Sequence, residues 1–327
     1  QRRGLKMRSI KRWAKVSAVL AAAALALSAC GGGSADKKAG GSTGTKASGE
    51  LKVFAAYDTT NWNPSNTSSA LAVGANLQVV EGLYEFDFSK FKAHKALAAE
   101  DEPTKVNDTT YEVKLRDGAK FSTGDAVSSK DVVSSYKRIV DGDKDSTGAV
   151  QPSSYAAFLT AISGIEAKDD STVTIKLTHA IDNLKERLAL IKVVPSKATF
   201  DELTKMPVGS GPYKYDTITD TTQDLSVNEH YNGANPATVS KIHYDNSRDA
   251  TARLTAAVAG QTDVVEALDP AGIEKVKAAG WEVKDATAYG IAMMTFNTTK
   301  APFKDKRVRQ ALLTAIDTQT MIQPAFN

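Results

Sequence analysis

Residue types that commonly carry out chemistry are sparse in this chain. The single cysteine is Cys30, and the four histidines are His94, His179, His230 and His243. The histidines have no metal-ligand spacing and no cysteine companions, so the sequence gives no sign of a structural zinc site. We therefore expect no metal and no cofactor.

A serine between two glycines is the nearest approach to a catalytic nucleophile. Ser210 lies in the segment 209–212, Gly-Ser-Gly-Pro, which lacks the Gly-x-Ser-x-Gly pattern of a nucleophile elbow. We interpret the segment as a tight turn. The acidic pair Asp169 and Asp170 lies among polar residues, where neighbouring carboxylates are ordinarily solvated. An extracellular hydrolase would need a nucleophile and a base that the sequence does not offer, so we expect a protein that is not an enzyme.

Cys30 follows a segment with the pattern of a secretory signal. Basic residues between Arg8 and Lys15 precede an apolar run at 16–29, which ends in Leu-Ser-Ala directly before the cysteine. The run is too short to cross the roughly 30 Å hydrocarbon core of a bilayer, which favours cleavage over a retained membrane helix. The sequence therefore predicts that residues 1–29 comprise upstream residues and a lipoprotein signal peptide. Lipidation of Cys30 would anchor the protein to the outer face of the bacterial cytoplasmic membrane.

The charge of the chain depends on that cleavage. Seven of the 41 basic residues precede Cys30 and none of the 38 acidic residues does, so the mature chain carries a net charge of −4. This acidic balance argues against a nucleic-acid partner. Residues 30–49 are rich in Gly, Ser, Thr, Ala and Lys and contain no large apolar residue, so we expect the lipidated cysteine to begin a flexible linker.

Both strands and helices are expected in the rest of the chain, and together they must position any site. Residues 51–55 are typical of a strand, and the turn-prone stretch 58–64 follows them. A helix is expected over about 69–84, and a hairpin over 110–121 around the dipeptide Asp117-Gly118. Ser128, with Asp131 three residues later, predicts the start of another helix.

The second half continues to mix the two periods. We expect a strand at 171–178 and a helix at 181–190. Further strands are expected near 213, at 225–228 and at 241–244, and further helices at 250–259 and 270–279. This interleaving predicts an α/β fold, and the length of the ordered part predicts two or more lobes.

Several segments, taken in order, carry a family resemblance. They are 97–100 (LAAE), 111–122 (YEVKLRDGAKFS), 130–138 (KDVVSSYKR), 209–214 (GSGPYK), 260–264 (GQTDV) and 296–312, which includes PFKDKRVRQAL. Together they resemble the extracytoplasmic solute-binding protein family 5, the oligopeptide, dipeptide and nickel binding proteins of ABC importers. The resemblance runs from about Leu51 to Asn327. The signature residues themselves have a structural meaning, because Val308, Ala311 and Leu312 are spaced to bury one helix face.

The resemblance implies an α/β periplasmic-binding-protein-like fold of two lobes with an extra subdomain. The first lobe would comprise 50–66 and 190–285, the extra subdomain 67–189, and the start of the second lobe 286–327. Family members continue beyond the last residue here, so the resemblance implies a C-terminal truncation with the second lobe largely missing.

The resemblance also implies a function and a site. The protein would bind peptides between its lobes and deliver them to a permease and its ATPase, as an extracytoplasmic monomer. A nickel chelate, a sugar or an opine remain alternative solutes, and a peptide-sensing lipoprotein without transport remains an alternative function. Strand ends bind ligand in open-sheet folds. The candidate ligand-binding residues are Tyr57, Asp58, Thr59, Asn61 and Trp62 after the first strand, and Tyr289 and Met293 at the crossing into the second lobe. A simple packing role for Trp62 stays open.

Overall fold

The fold is given by a computed structural model that describes residues 47–88, 90–284, 293–318 and 320–321. Its strands are β1 Glu50–Ala55, β2 Tyr84–Asp87, β3 Lys92–Lys95, β4 Thr104–Asn107, β5 Thr110–Lys114, β6 Asp143–Lys144, β7 Val150–Gln151, β8 Ile162–Ala167, β9 Thr172–Leu177, β10 Tyr213–Ile218, β11 Thr222–Val227, β12 Lys241–Asn246 and β13 Val264–Val265. Its α-helices are α1 Ala70–Val79, α2 Ser129–Val140, α3 Leu184–Leu188, α4 Phe200–Lys205, α5 Ala250–Val258, α6 Pro270–Ala278 and α7 Lys306–Ala315, and a 3-10 helix spans Ser154–Phe158.

A five-stranded sheet contains the first strand of the fold. Its strand order is β10-β11-β12-β1-β13. Strand β1 lies parallel to both β12 and β13, while β10 and β11 run antiparallel to their neighbours. The unit β12-α5-β13 therefore crosses over β1, which lies between its two strands. Three strands thus end at the same edge of the sheet.

One hydrophobic cluster joins this sheet to α1. Alternate residues of β1, Val53 and Ala55, are buried because they face the helix side of the pleat. Leu71 and Val79 of α1 pack into the same cluster, and so does Trp62 from the loop between β1 and α1. The predicted strand and the start of the predicted helix are confirmed by these elements.

A second cluster forms around an antiparallel sheet of order β4-β5-β9-β8. Helix α2 packs on it and begins as predicted: the Asp131 carboxylate accepts hydrogen bonds from the Ser128 backbone N–H (2.8 Å) and hydroxyl (2.7 Å). The chain passes from the first cluster to the second between Val80 and Leu83, and it returns to the first between Val193 and Val194. The boundaries expected at 66 and 190 stay a prediction, although α1 packs with the five-stranded sheet.

The segment Gly209 to Pro212 connects the two clusters, and it does so by close backbone contact. The Gly211 N–H donates to the Val79 carbonyl (2.8 Å), and the Gly209 carbonyl accepts from Ser122 (2.9 Å). The Ser210 hydroxyl donates to Glu81 (2.9 Å). The segment interpreted as a tight turn therefore holds the end of α1 against the second cluster.

Three predicted elements differ in the structure. The hairpin over 110–121 is wrong: the chain turns at Gly118 (φ +69°), but β5 pairs with β4 and β9. The helix expected to continue to residue 84 ends at Val79, and β2 begins at Tyr84 because this apolar run enters the second cluster. Helix α7 buries none of its residues, so Val308, Ala311 and Leu312 do not form a buried face; no described element covers it.

The remaining predicted strands and helices appear with ends displaced by a few residues. Within the described ranges, no helix combines the length and the apolar character needed to cross a bilayer.

Candidate functional site

A cleft opens where β1 and β12 end. The two strands are parallel and in register, with Ala55 beside Asn246, so the loops that follow them leave the same edge of the sheet. Ligands of open α/β sheets bind at such carboxyl edges. The cleft has a volume of about 450 Å³ and is lined by Tyr57, Asp58, Thr59, Asn61, Asn66, Thr67, Ser68, Ser69, Ala70 and Arg248.

The loop after β1 is fixed by hydrogen bonds between its own side chains and backbone. The Thr59 hydroxyl accepts from the Asn61 N–H (3.0 Å) and donates to the Asn61 carbonyl (3.1 Å). The Asn61 amide group donates to Asn66 (3.0 Å), and its oxygen accepts from the Asn63 N–H (3.0 Å). A loop with this many internal bonds presents its exposed side chains in one arrangement, which lowers the entropic cost of binding.

Ser153 and Tyr155 hold the same loop from the other cluster. The Ser153 hydroxyl donates to the Ser65 carbonyl (2.5 Å), and the Tyr155 hydroxyl donates to the Thr67 carbonyl (2.7 Å). Burial raises the pKa of Tyr155, so this hydroxyl remains a hydrogen-bond donor at neutral pH. The 3-10 helix that contains Tyr155 therefore supports one side of the cleft.

An ion pair stands at the mouth of the cleft. The Arg248 guanidinium donates through Nε (2.8 Å) and Nη2 (2.5 Å) to one carboxylate oxygen of Asp58. The Arg248 side chain is 77% exposed and that of Asp58 49% exposed. Exposed pairs of this kind contribute about 0–1 kcal/mol to stability, because water already solvates both charges. The pair therefore adds little to the stability of the fold.

A buried arginine connects the loops that follow the two strands flanking β1. Arg253 of α5 donates to the backbone carbonyls of Ser247 (2.6 Å), Glu266 (3.0 Å) and Ala267 (2.7 Å). The first carbonyl follows β12 and the other two follow β13, so one side chain ties both strand ends together. Asp249 caps the same helix by accepting from the Thr251 N–H (2.8 Å).

The structure separates the residues that the sequence singled out. Tyr57, Asp58, Thr59 and Asn61 line the cleft, and Tyr57 is half exposed there. Trp62 is only 3% exposed and contacts Tyr215 edge to face with ring centroids 5.7 Å apart. It therefore packs in the core, which is the role that the sequence left open.

Met293 does not line this cleft. Met293 is largely exposed. Tyr289 and Cys30 lie outside the described residues, so their expected roles stay predictions.

Sequence reasoning missed Arg248, because it lies 190 residues from its partner Asp58 in the chain. The available signal was its position four residues after the strand predicted at 241–244, since parallel neighbours bring their following loops together. The bonds from Ser153 and Tyr155 had no comparable signal in the sequence.

A larger cavity of about 830 Å³ lies elsewhere, beside β2, β3 and the segment 231–239. Its most buried charges are already paired: Arg116 donates to both carboxylate oxygens of Glu81 (3.1 Å each) and stacks over Tyr231 at 5.6 Å. Burial raises the pKa of Glu81, while Arg116 and Ser210 oppose that shift. These groups hold the fold together and are not free to grip a solute.

Among the described residues, no group of three or more His, Cys, Asp or Glu side chains is arranged to bind a metal ion. The cleft at the strand ends can instead offer an aromatic ring, hydroxyl groups and one pair of opposite charges. This is chemistry for recognition of a small polar molecule.

Several known proteins resemble this chain in sequence or in fold. Heme-binding protein A of Haemophilus influenzae is 27% identical over 95% of this chain and 61% of that protein. The oligopeptide-binding protein OppA of Bacillus subtilis is 23% identical over 96% of this chain and 61% of that protein. The structure of MoaA from A. tumefaciens R10, in complex with mannopinic acid, superposes with a TM-score of 0.70 and 25% identity over 85% of this chain and 57% of that one.

The chain spans about three fifths of the length of these relatives. The sequence model described as bacterial extracellular solute-binding proteins, family 5, middle region, matches residues 92–327. The predicted family and the periplasmic-binding-protein-like α/β fold are therefore confirmed. The chain belongs to family 5 of the bacterial extracellular solute-binding proteins.

Proposed function

We propose that this protein is the solute-binding component of an ABC importer and that it captures peptides in the cleft at the ends of β1 and β12. The observation that carries the proposal is the cleft itself: a preformed loop and the chain after β12 meet at the edge where open sheets bind ligands. Solute capture would close a second lobe over this wall, driven by contacts that only the closed state makes. The captured solute would then pass to a permease and its ATPase.

The finer parts of the proposal follow from the sequence. Lipidation at Cys30 and the linker at 30–49 would hold the folded body close to the outer face of the membrane while leaving it free to rotate. We propose that it works there as a monomer.

Solutes other than peptides are the second candidate. One relative is named for heme, and one similar structure holds mannopinic acid. The cleft has hydroxyl groups and an aromatic ring that suit several classes of polar solute, so the choice of solute must be tested directly.

The test is a thermal-shift screen of the full-length secreted protein against peptide pools, heme, nickel chelates, oligosaccharides and mannopinic acid. A ligand at 100 times its Kd stabilises the folded state by about 2.7 kcal/mol, which raises the melting temperature by several degrees. We expect this rise with peptides and its loss in Tyr57→Ala. Val106→Ala, at an exposed site on β4, is the control and should keep the rise.

A rise with one of the other solutes alone would replace the peptide proposal by that solute class. The absence of a rise with every class would argue against solute capture and for a sensing or scaffold role.

A further inference from the structure

The turn of the β2–β3 hairpin presents two aromatic rings to solvent. Phe88 is 61% exposed and Phe91 52% exposed. Both rings contact Phe86 edge to face, with ring centroids 5.1 and 6.3 Å away, so the three rings lie together. Exposed apolar residues are ordinary when they are scattered singly, whereas a contiguous patch marks a contact surface. The turn therefore carries a candidate contact surface.

Phe91 has a backbone conformation that does not suit a bulky residue. Its φ is +52°, in the left-handed region that glycine and asparagine adopt most readily. The Lys90 N–H donates to the Asp87 carbonyl (3.2 Å), so the turn is closed before the chain reaches Phe91. Glycine at this position would satisfy the turn without conformational cost. The turn alone therefore does not explain the ring, and a ring kept in a strained position indicates a role in contact.

The exposed charges beside these rings are positive. Lys90 and Lys92 flank Phe91 in the chain, and both are exposed. The nearest carboxylates are more covered: Asp87 accepts from Lys90 at 2.8 Å and is 24% exposed, and Glu85 is largely buried in an ion pair. A surface that is both aromatic and cationic matches an anionic lipid surface, where rings enter the apolar boundary and lysines contact phosphates.

The size of the patch favours lipid over a protein partner. An aromatic side chain buries about 150–250 Å², so the exposed parts of Phe88 and Phe91 together offer about 200 Å². A stable protein interface buries about 800 Å² on each partner, which two rings on one turn do not approach. Insertion among lipid headgroups needs no facing surface, because the lipids close around each ring.

The hairpin lies near the first strand, where the proposed linker would enter the fold. Leu51, the second residue of β1, and Phe86 border the same cavity of about 830 Å³. A flexible chain over 30–49 would span about 25 Å between its ends. A lipid on Cys30 would therefore hold this part of the fold near the membrane.

We propose that the β2–β3 hairpin is a membrane-contact site that inserts Phe88 and Phe91 among the headgroups of an anionic lipid surface. Lys90 and Lys92 would bind the lipid phosphates at the same time. The contact is weak by itself, but the anchor proposed at Cys30 would make it intramolecular and raise its effective concentration. The hairpin would then fix the orientation of a body that the anchor alone leaves free to rotate. The inference rests on the proposed function only for its location at a membrane, and its test omits the anchor so that the two can fail separately.

The test is sedimentation of the protein with lipid vesicles. The full-length secreted protein is produced from residue 31 onward, so that neither a signal segment nor a lipid chain binds the vesicles. One set of vesicles contains equal parts of phosphatidylglycerol and phosphatidylcholine, and the other contains phosphatidylcholine alone. The variants are Phe88→Ser, Phe91→Asn and the double variant Lys90→Gln with Lys92→Gln.

We expect the unmodified protein to bind the anionic vesicles at least about tenfold more tightly than the neutral ones, because two lysines gain anionic partners. The double lysine variant should lose this preference. Phe88→Ser and Phe91→Asn should each weaken binding to the anionic vesicles by about fivefold, because one half-exposed ring no longer leaves water. The matched controls are Val106→Ser at an exposed apolar site on β4 and Lys130→Gln at an exposed lysine of α2, and both should bind like the unmodified protein.

Thermal melting separates this role from a structural one. Asparagine adopts the left-handed conformation more easily than phenylalanine does. Phe91→Asn should therefore melt at or above the temperature of the unmodified protein while it binds vesicles more weakly. A ring kept for packing would give a lower melting temperature and unchanged vesicle binding.

Three results would overturn the inference. The first is the absence of binding to either set of vesicles. The second is equal binding to the anionic vesicles by the unmodified protein and both phenylalanine variants. The third is self-association without lipid that Phe91→Asn abolishes, which would assign the patch to a second copy of the chain. A positive solute screen combined with any of these results leaves the proposed function standing and removes the membrane contact alone.

Discussion

Replacement of Gly209 by alanine should break the contact between the two hydrophobic clusters. A Cβ at this position would lie 2.1 Å from the Val79 carbonyl oxygen and 2.6 Å from the Val80 Cα. A carbon atom approaches a carbonyl oxygen to about 3.3 Å at the closest, so one backbone must retreat by about 1 Å. Both backbones are held, because Gly209 accepts a hydrogen bond from Ser122 and Val79 accepts one from Gly211.

The expected loss of stability follows from these contacts. Overpacking of a filled interior costs about 1–3 kcal/mol, and each of the two strained hydrogen bonds is worth about 1 kcal/mol. Gly209→Ala should therefore lower the free energy of unfolding by about 3–5 kcal/mol. Gly74 supplies a matched control: it is an exposed helical glycine with nothing within 4 Å of its added Cβ. Gly74→Ala should raise the free energy of unfolding by about 1 kcal/mol.

Urea unfolding followed by far-UV circular dichroism measures both changes. With a slope of about 3 kcal/mol/M, Gly209→Ala should lower the unfolding midpoint by at least about 1 M. Measurement in the Gly74→Ala background keeps the variant folded in the absence of urea. A Gly209→Ala midpoint equal to that of its parent would refute the reasoning, because the close approach of the two backbones would then not exist in solution.

Two further predictions concern other parts of the five-stranded sheet. Arg253→Met should lower the free energy of unfolding by about 2–4 kcal/mol, because three backbone carbonyls lose a charged donor. Arg253→Lys should lower the free energy of unfolding by less. Equal urea midpoints for the natural protein and both variants would contradict the assigned role. Burial lowers the pKa of His243, but Asp224 (2.8 Å) and Asp245 (3.5 Å) outweigh burial and leave the pKa raised. The lysines nearest in the sheet are Lys241, two residues earlier on β12, and Lys52, opposite His243 on β1. A raised histidine pKa stabilises the fold below the unfolded pKa of about 6.5, and the effect is lost as the pH rises through the folded pKa. The natural protein should therefore have a higher urea midpoint than His243→Gln at pH 5.5, and the two midpoints should converge at pH 8.5. A difference that stays constant with pH would contradict the ion pairs.

Local patterns in the sequence were enough to predict most individual elements. The Ser128 and Asp131 pattern fixes the start of α2 because both partners of the cap lie within one turn. The alternation in β1 and β9 predicts strands because period two is a local property. The α/β class follows from these elements without knowledge of how they meet.

Pairing between elements was harder to predict, because it depends on residues far apart in the chain. The dipeptide Asp117-Gly118 predicts a turn, and Gly118 adopts the left-handed conformation that such a turn requires. The turn does not determine the partners of β5, which are β4 and β9, the latter more than fifty residues later. Burial of Leu83 and Tyr84 in the second cluster likewise ended α1 early.

The candidate site also depends on pairing between distant strands. Asp58 could be predicted because it follows a recognisable strand, but its partner Arg248 becomes visible only when β1 and β12 are known to be parallel neighbours. Trp62, from the same loop as Asp58, packs in the cluster between the sheet and α1. Once a sheet's strand order is known, the residues that follow each parallel strand can therefore be ranked as site candidates by their positions in the sequence.

The Gly-Ser-Gly-Pro segment completes this argument. In sequence it resembles a nucleophile, a tight turn and a family signature, and nothing local decides between them. In the structure, Gly209 and Gly211 admit the α1 backbone and Ser210 donates to the buried Glu81, which also binds Arg116. Each residue type is explained by a contact with a different part of the chain. Signature residues of this kind identify the fold because they join its two clusters.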